Sequence, residues 1–337
     1  MSSDLPTHHS YHPYHSYRWY PVGVDRIVLA APRGFCAGVS YAIEVVSLAL
    51  KIHGAPVYVR HAIVHNEWVV RNFEAQGVIF VEDIDDIPVG SVVVYSAHGV
   101  SPAIRRQAKD RELTAIDATC PLVTKVHNEA RRYAKDDYLM LYIGHAGHVE
   151  AEGTMGEAPD RMILIETPQQ AEAIELPPHT KLALLTQTTL SVDEVTEIQE
   201  VLERRFPYLH RPPKGDICYA TTNRQAAVRE LAAVASLVLV VGSPASSNSN
   251  RLREVAESLG AESYLVMGAE EVDPTWADRH EVVGITSGAS TPEILVEEIV
   301  GALVARRPGA IIETLEIQKE DVVFKPSRDL IALAMAS

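Results

Sequence analysis

A chain of 337 residues, 47% hydrophobic and 22% charged, has the composition of an ordinary globular protein and length enough for two or three domains. Its formal net charge of −15 argues against a nucleic-acid surface, which would carry a basic face or stripe. No apolar run approaches the roughly 20 residues of a membrane span and the N-terminus has no apolar signal core, so the expectation is a cytoplasmic chain with no membrane or nucleic-acid partner. Three cysteines in such a chain more often serve metal or catalysis than disulfides.

Residues 1–25 form a tail in which His8, His9, His12 and His15 lie among Tyr11, Tyr14, Tyr17 and Tyr20. His-rich tracts can bind metal, but this composition at a terminus fits a loosely docked arm better, and no catalytic role is assigned to it.

Ile27-Val28-Leu29-Ala30-Ala31 then reads as a strand ended by Pro32 and Gly34, and helical spacing follows from Tyr41 to Lys51. Cys36 therefore falls at a helix start beyond a strand's carboxyl end. The other cysteines repeat the setting: Leu113 to Ala118 leads to Cys120 and a helix over Leu122 to Lys135, and Asp216-Ile217 leads to Cys218 and a helix over Arg224 to Ala235. Helix N-termini favour thiolates, so all three thiols are expected to have lowered pKa values.

Aligned on its cysteines, the sequence is an internal repeat of domain size. A short apolar strand and a polar loop follow each cysteine helix, and His65, His148 and Ser246 each lie about 28 residues beyond their cysteine. A second strand then delivers a second polar loop, holding His98 in Ser96-Ala97-His98-Gly99, Thr188 in Thr186-Gln187-Thr188-Thr189 and Ser290 in Thr286-Ser287-Gly288-Ala289-Ser290. Strands alternating with helices predict an α/β fold of three pseudo-threefold-related units with parallel sheets, at 26–119, 120–217 and 218–309, followed by a C-terminal segment over 310–337. If the strand ends face one axis, three thiols and six polar loops meet there.

On spacing alone, an iron–sulfur cluster, zinc and plain buried thiols all stay open; zinc ligands usually come in close pairs, which are missing here, and the repeat favours the cluster. The loops offer His65, His98, His148, Thr188, Ser246, Ser247, Asn248 and Ser290, donors suited to phosphate oxygens, with no lysine among them. An N-cap needs one such residue, whereas Ser246-Ser247-Asn248-Ser249-Asn250 supplies five, which favours a ligand. A lone histidine is more often a core or surface residue, and the matched repeat positions are what bring His65, His98 and His148 forward. Glu150, if buried, could hold and deliver a proton; the commoner use of such an acid is to stabilise a helix start.

The motifs Pro32-Arg33-Gly34-Phe35-Cys36-Ala37-Gly38-Val39, Ala97-His98-Gly99-Val100, Asp117-Ala118-Thr119-Cys120-Pro121, Gly144-His145-Ala146-Gly147-His148, Thr186-Gln187-Thr188-Thr189, Ile217-Cys218-Tyr219-Ala220-Thr221-Thr222-Asn223-Arg224, Ser246-Ser247-Asn248-Ser249-Asn250-Arg251 and Ser287-Gly288-Ala289-Ser290 resemble the family of 4-hydroxy-3-methylbut-2-enyl diphosphate reductases. Ala31, Val149 and Ala245 depart from the residues common in that family. The resemblance implies three α/β domains around a central [4Fe–4S] cluster held by Cys36, Cys120 and Cys218, with one iron open. It implies reductive dehydroxylation of the allylic diphosphate to isopentenyl and dimethylallyl diphosphates, the last step of the non-mevalonate isoprenoid pathway. His65, His98, His148, Ser246, Ser247, Asn248 and Ser290 would hold the diphosphate, Thr188 would lie near the allylic hydroxyl, and Glu150 with Thr188 and His148 would serve catalysis. Electrons would come from an external ferredoxin or flavodoxin. The alternatives are a non-redox cluster dehydratase or condensing enzyme of the quinolinate synthase type, and an iron–sulfur sensor.

Overall fold

The computed structural model describes residues 24–212 and 214–337. The histidine- and tyrosine-rich tail therefore lies outside the described residues, apart from its last two positions. In chain order the elements are β1 (Arg26–Ala31), α1 (Ala37–His53), β2 (Val57–Arg60), α2 (Glu67–Glu74), β3 (Val78–Val81), β4 (Val92–Tyr95), α3 (Pro102–Asp110) and β5 (Thr114–Asp117). Then come α4 (Pro121–Lys135), β6 (Leu139–Ile143), α5 (Val149–Met155), β7 (Met162–Ile165), α6 (Pro168–Ala173), β8 (Leu182–Thr186) and α7 (Val192–Arg205). The rest are α8 (Tyr219–Val234), β9 (Leu237–Val241), α9 (Ser247–Ser258), β10 (Glu262–Val266), α10 (Pro274–Asp278), β11 (Val282–Ser287), α11 (Glu293–Arg306), β12 (Ile311–Glu316) and α12 (Arg328–Ala336).

The strands form three sheets, ordered β3-β2-β4-β5, β7-β6-β8 and β10-β9-β11-β1-β12, and every ladder between them is parallel. Parallel sheets need cover on both faces, and each sheet has an apolar cluster on either side. Strands β8 and β9 are buried along their whole length, which is why they read as unbroken apolar runs.

In each sheet the strand order reverses at one place: between β2 and β4, between β6 and β8, and between β9 and β11. The loops leaving those strands are the six polar loops of the repeat. Ligands bind at such reversal points because the crossing helices diverge there and leave a crevice beyond the strand ends.

Sheet membership corrects the expected boundaries at both ends of the chain. The first strand, expected with residues 26–119, pairs with β11 in the third sheet, from Arg26 opposite Val282 to Leu29 opposite Ile285. β12, expected in the separate segment 310–337, pairs with the other edge of β1. The reason is cyclic. β5 closes the first sheet and runs into Cys120, and a parallel bridge from His210 to Ala183 does the same in the second sheet before Cys218. β1 performs this role for the third sheet and runs into Cys36. The chain's first strand thus joins its last unit to its first.

Asp216-Ile217 forms no strand, and all three cysteine helices start earlier than helical spacing suggests, at the residue after the cysteine. At the C-terminal end, the fully buried Arg224 donates 2.9 Å to Glu320 and 2.8 Å to the Gly34 carbonyl, tying the last segment to the loop before Cys36.

Ile27, fully buried in the middle of this closure, gives a direct test of it. Ile27→Ala is expected to lower unfolding stability in urea by about 2–5 kcal/mol. A loss below about 0.5 kcal/mol, as at a surface position, would mean that β1 is not an integral strand.

Candidate active site

Cys36, Cys120 and Cys218 are the N-cap residues of α1, α4 and α8. Each donates its backbone N–H to a second loop of the preceding unit: Cys36 to the Ala289 carbonyl at 3.2 Å, Cys120 to Ala97 at 3.0 Å, and Cys218 to Thr188 at 3.1 Å. The cyclic order of the fold thereby sets each sulfur beside two polar loops. All three cysteines are free thiols. A Cβ on Gly38 would stand 2.5 Å from the Cys120 sulfur and 3.8 Å from that of Cys36, so this glycine lets two sulfurs approach one point.

The expectation of lowered thiol pKa values fails for two of them. Burial pushes Cys120 up to about 12, with the Cys36 charge adding to it and the N–H groups of Leu122 and Val123 only partly offsetting. Burial and Cys36 likewise push Cys218 up to about 11 against the Thr221 hydrogen bonds. For these two, desolvation outweighs the helix termini because both sulfurs are buried in one space shared with Cys36. Among the described residues, no group of three or more His, Cys, Asp or Glu side chains is arranged to hold a single metal ion.

That space is a cavity of about 100 Å³, several times what one water needs. Its lining includes all three cysteines together with His65, His98, His148, Glu150, Thr188, Ser246, Ser247, Asn248 and Ser290, so every site residue expected from the repeat is brought to one place. The rings of His65 and His98 lie 4.1 Å apart, and that of His148 lies 5.7 and 6.2 Å from them. Burial lowers the pKa of all three, that of His148 to about 4 and that of His98 well below the ordinary value, with the neighbouring imidazoles adding to the effect. His148 Nδ1 accepts from the Glu150 N–H at 3.2 Å, so the proton of the neutral ring sits on Nε2.

Ser246 caps α9, accepting from the Ser249 N–H at 3.3 Å and the Ser249 hydroxyl at 3.0 Å. Ser247 donates to the Thr189 carbonyl and Ser290 to the His65 carbonyl, which fastens the third unit to the other two. Asn248 is 4% exposed, and neither its amide nitrogen nor its oxygen has a partner; His65 Nε2 is also buried and unpartnered. Buried polar atoms without partners are costly, so these aim at a ligand.

Glu150, 2% exposed, accepts from the Thr188 N–H at 2.6 Å and the Thr188 hydroxyl at 2.9 Å. Burial raises its pKa to about 7 despite these two bonds. Its sequence position favoured a helix-start acid, and it does lie in the first turn of α5, but its carboxylate turns into the cavity. Thr221 had no assigned part. Its N–H donates to the Cys218 sulfur at 3.4 Å, its hydroxyl stands 3.2 Å from that sulfur and donates to the Thr188 carbonyl, and its place three residues beyond an N-cap was the available signal.

The chain is similar to several known proteins. A family model described as LytB protein matches residues 27–304. A 4-hydroxy-3-methylbut-2-enyl diphosphate reductase of Acidothermus cellulolyticus is 53% identical over 90% of this chain and 89% of its own. One from Streptomyces coelicolor is 51% identical over 90% of both. The solved structure of E-1-hydroxy-2-methyl-but-2-enyl-4-diphosphate reductase from Plasmodium falciparum superposes with a TM-score of 0.90 at 38% identity, covering 93% of this chain and 99% of that one.

The raised pKa of Glu150 has a thermodynamic consequence. The folded chain keeps this proton to higher pH than the unfolded chain does, so the group costs nothing below about pH 4.5, an increasing amount from there to about pH 7, and a constant amount above. Glu150→Gln in the metal-free chain is therefore expected to be more stable than the parent at pH 8, by up to roughly 3 kcal/mol, and equal to it near pH 4. Urea midpoints at the two pH values check this, and parallel pH profiles for parent and variant would contradict it.

Proposed function

The chain belongs to the LytB protein family, and we propose that it reduces 4-hydroxy-3-methylbut-2-enyl diphosphate to isopentenyl and dimethylallyl diphosphates. The reaction consumes two electrons and two protons and releases the allylic hydroxyl as water. The observation that carries this reading is a single cavity with three thiols at one wall, unpartnered phosphate-type donors at another, and a buried acid of near-neutral pKa between them.

The residues fit an iron–sulfur centre by their own chemistry. Cys120 and Cys218, buried and of raised pKa, become thiolates most readily beside a strong positive charge, and Cys36 lines the same space. Cys36, Cys120 and Cys218 would hold a [4Fe–4S] cluster with one iron lacking a protein ligand. Such a group supplies electrons singly and a Lewis-acidic site for an oxygen. The electrons come from an external donor of the ferredoxin or flavodoxin type.

The diphosphate takes its hydrogen bonds from Asn248, Ser246, Ser247, Ser290, the imidazoles and the N-terminus of α9. The bound anion raises the histidine pKa values that burial has lowered, so protons accompany the substrate without any fixed cation. Glu150 holds its proton up to about pH 7. Through the Thr188 hydroxyl, 2.9 Å away, that proton reaches the departing oxygen. The second proton comes from the diphosphate side, where His65, His98 and His148 surround the anion. Burial of Glu150 and Thr188, 2% and 4% exposed, keeps competing water from the reacting carbon.

Oxygen-free purification, iron and sulfide analysis, and assay of the hydroxylated diphosphate with a dithionite-reduced dye test the reading; an iron-free protein or absence of turnover would sink it. Glu150→Gln is expected to retain iron while kcat falls by at least about 100-fold. Asn248→Ala, which removes the unpartnered amide, is expected to raise KM about tenfold with little change in kcat.

A further inference from the structure

One buried histidine–carboxylate pair lies outside the cavity, yet touches three of the elements that build it. His127 sits two turns into α4, the helix capped by Cys120; its Nδ1 is 2.7 Å from Glu157 Oε1, just beyond α5. The two side chains are 3% and 0% exposed. Arg131 donates to the same Glu157 oxygen at 2.9 Å. Burial alone would push the Glu157 carboxyl up, but His127 and Arg131 hold it below the ordinary range.

The other edge of the imidazole is occupied by glycines. A Cβ at Gly99 would lie 2.9 Å from His127 Nε2, and one at Gly153 would lie 3.4 Å from His127 Cε1 and 3.3 Å from the Gly99 carbonyl oxygen. Gly99 follows His98, and Gly153 lies within α5, one turn beyond Glu150. A side chain at Gly99 would collide with the ring, and one at Gly153 would crowd the Gly99 backbone, so both chains pass close to the ring. Its Nε2 has no hydrogen-bond partner, so Glu157 is what fixes the ring.

We propose that His127, clamped by Glu157, is a positioning residue: its ring edge sets the distance between the His98 loop and the Glu150 helix against the helix capped by Cys120. A buried polar or ionic pair contributes little net stability, and its best-attested use is to enforce one arrangement among several. Here the arrangement is the register between the phosphate-binding imidazole and the proton-bearing carboxyl. The inference deepens the function proposed above and rests on it.

The experiment compares wild type, His127→Leu and Glu157→Gln after oxygen-free purification, with kcat expressed per iron-loaded site. Wild-type turnover is measured first, so that its absence counts against the reaction and not against the brace. His127→Leu is expected to lose kcat about tenfold or more while KM stays within about threefold, because displacement of about 1 Å can cost up to about 100-fold. Glu157→Gln, which keeps the shape and loses the charge, is expected to lose about threefold. An infrared titration of the metal-free chain gives a readout independent of activity: the protonation midpoint of Glu150 shifts by about half a unit in His127→Leu. If His127→Leu changes neither kcat per loaded site nor that midpoint, even with a lower melting temperature, the residue is merely structural and the proposal is wrong. Should that variant not fold, Glu157→Gln decides on the same two readouts.

Discussion

Desolvation is the interaction on which the site depends. It acts in one direction on six groups of the cavity: the Cys120 and Cys218 thiols and the Glu150 carboxyl are pushed up, the His65, His98 and His148 imidazoles are pushed down, and the neutral form is favoured each time. Charging several of these groups without partners would cost several kcal/mol. A cation near the sulfurs or an anion near the imidazoles would offset that cost, which is why the proposed function places opposite charges on the two sides of the cavity. Among the described residues, no lysine or arginine lines it.

The fold creates that space by cyclic closure. Each unit ends in a strand or bridge that runs into the next cysteine, whose N–H is bonded to a loop of the unit just left. Because β1 provides this link for the third sheet, the first and last parts of the chain assemble together, and residues far apart in sequence share one ladder. Arg224, bonded to Gly34 and Glu320, strengthens the same junction.

Close backbone approach completes the geometry. Gly38 admits the sulfur of Cys120, while Gly99, in the left-handed region at φ 81°, and Gly153 admit the His127 ring edge. A methyl group at Gly38 or Gly99 would press apart groups that must meet, and one at Gly153 would crowd the Gly99 backbone.

Much of this was legible in the linear order of residues. Apolar runs, helix-start signals and the threefold recurrence of cysteine and polar loops are local patterns, and they sufficed for three parallel α/β units and for a candidate site whose members all line one cavity. Other features depend on partners distant in sequence. The sheet that β1 joins is chosen by exposed ladder groups near residue 285, and nothing in Ile27 to Ala31 encodes that choice. The thiol and carboxyl pKa values follow from how much water the assembled walls exclude, which overrode the local helix termini. The roles of Thr221 and His127 likewise exist only once separate elements touch. The sequence by itself therefore determined which groups were available and in what repeating order; the tertiary structure decided their charge state and mutual distance, because burial and strand pairing are properties of the whole packed chain.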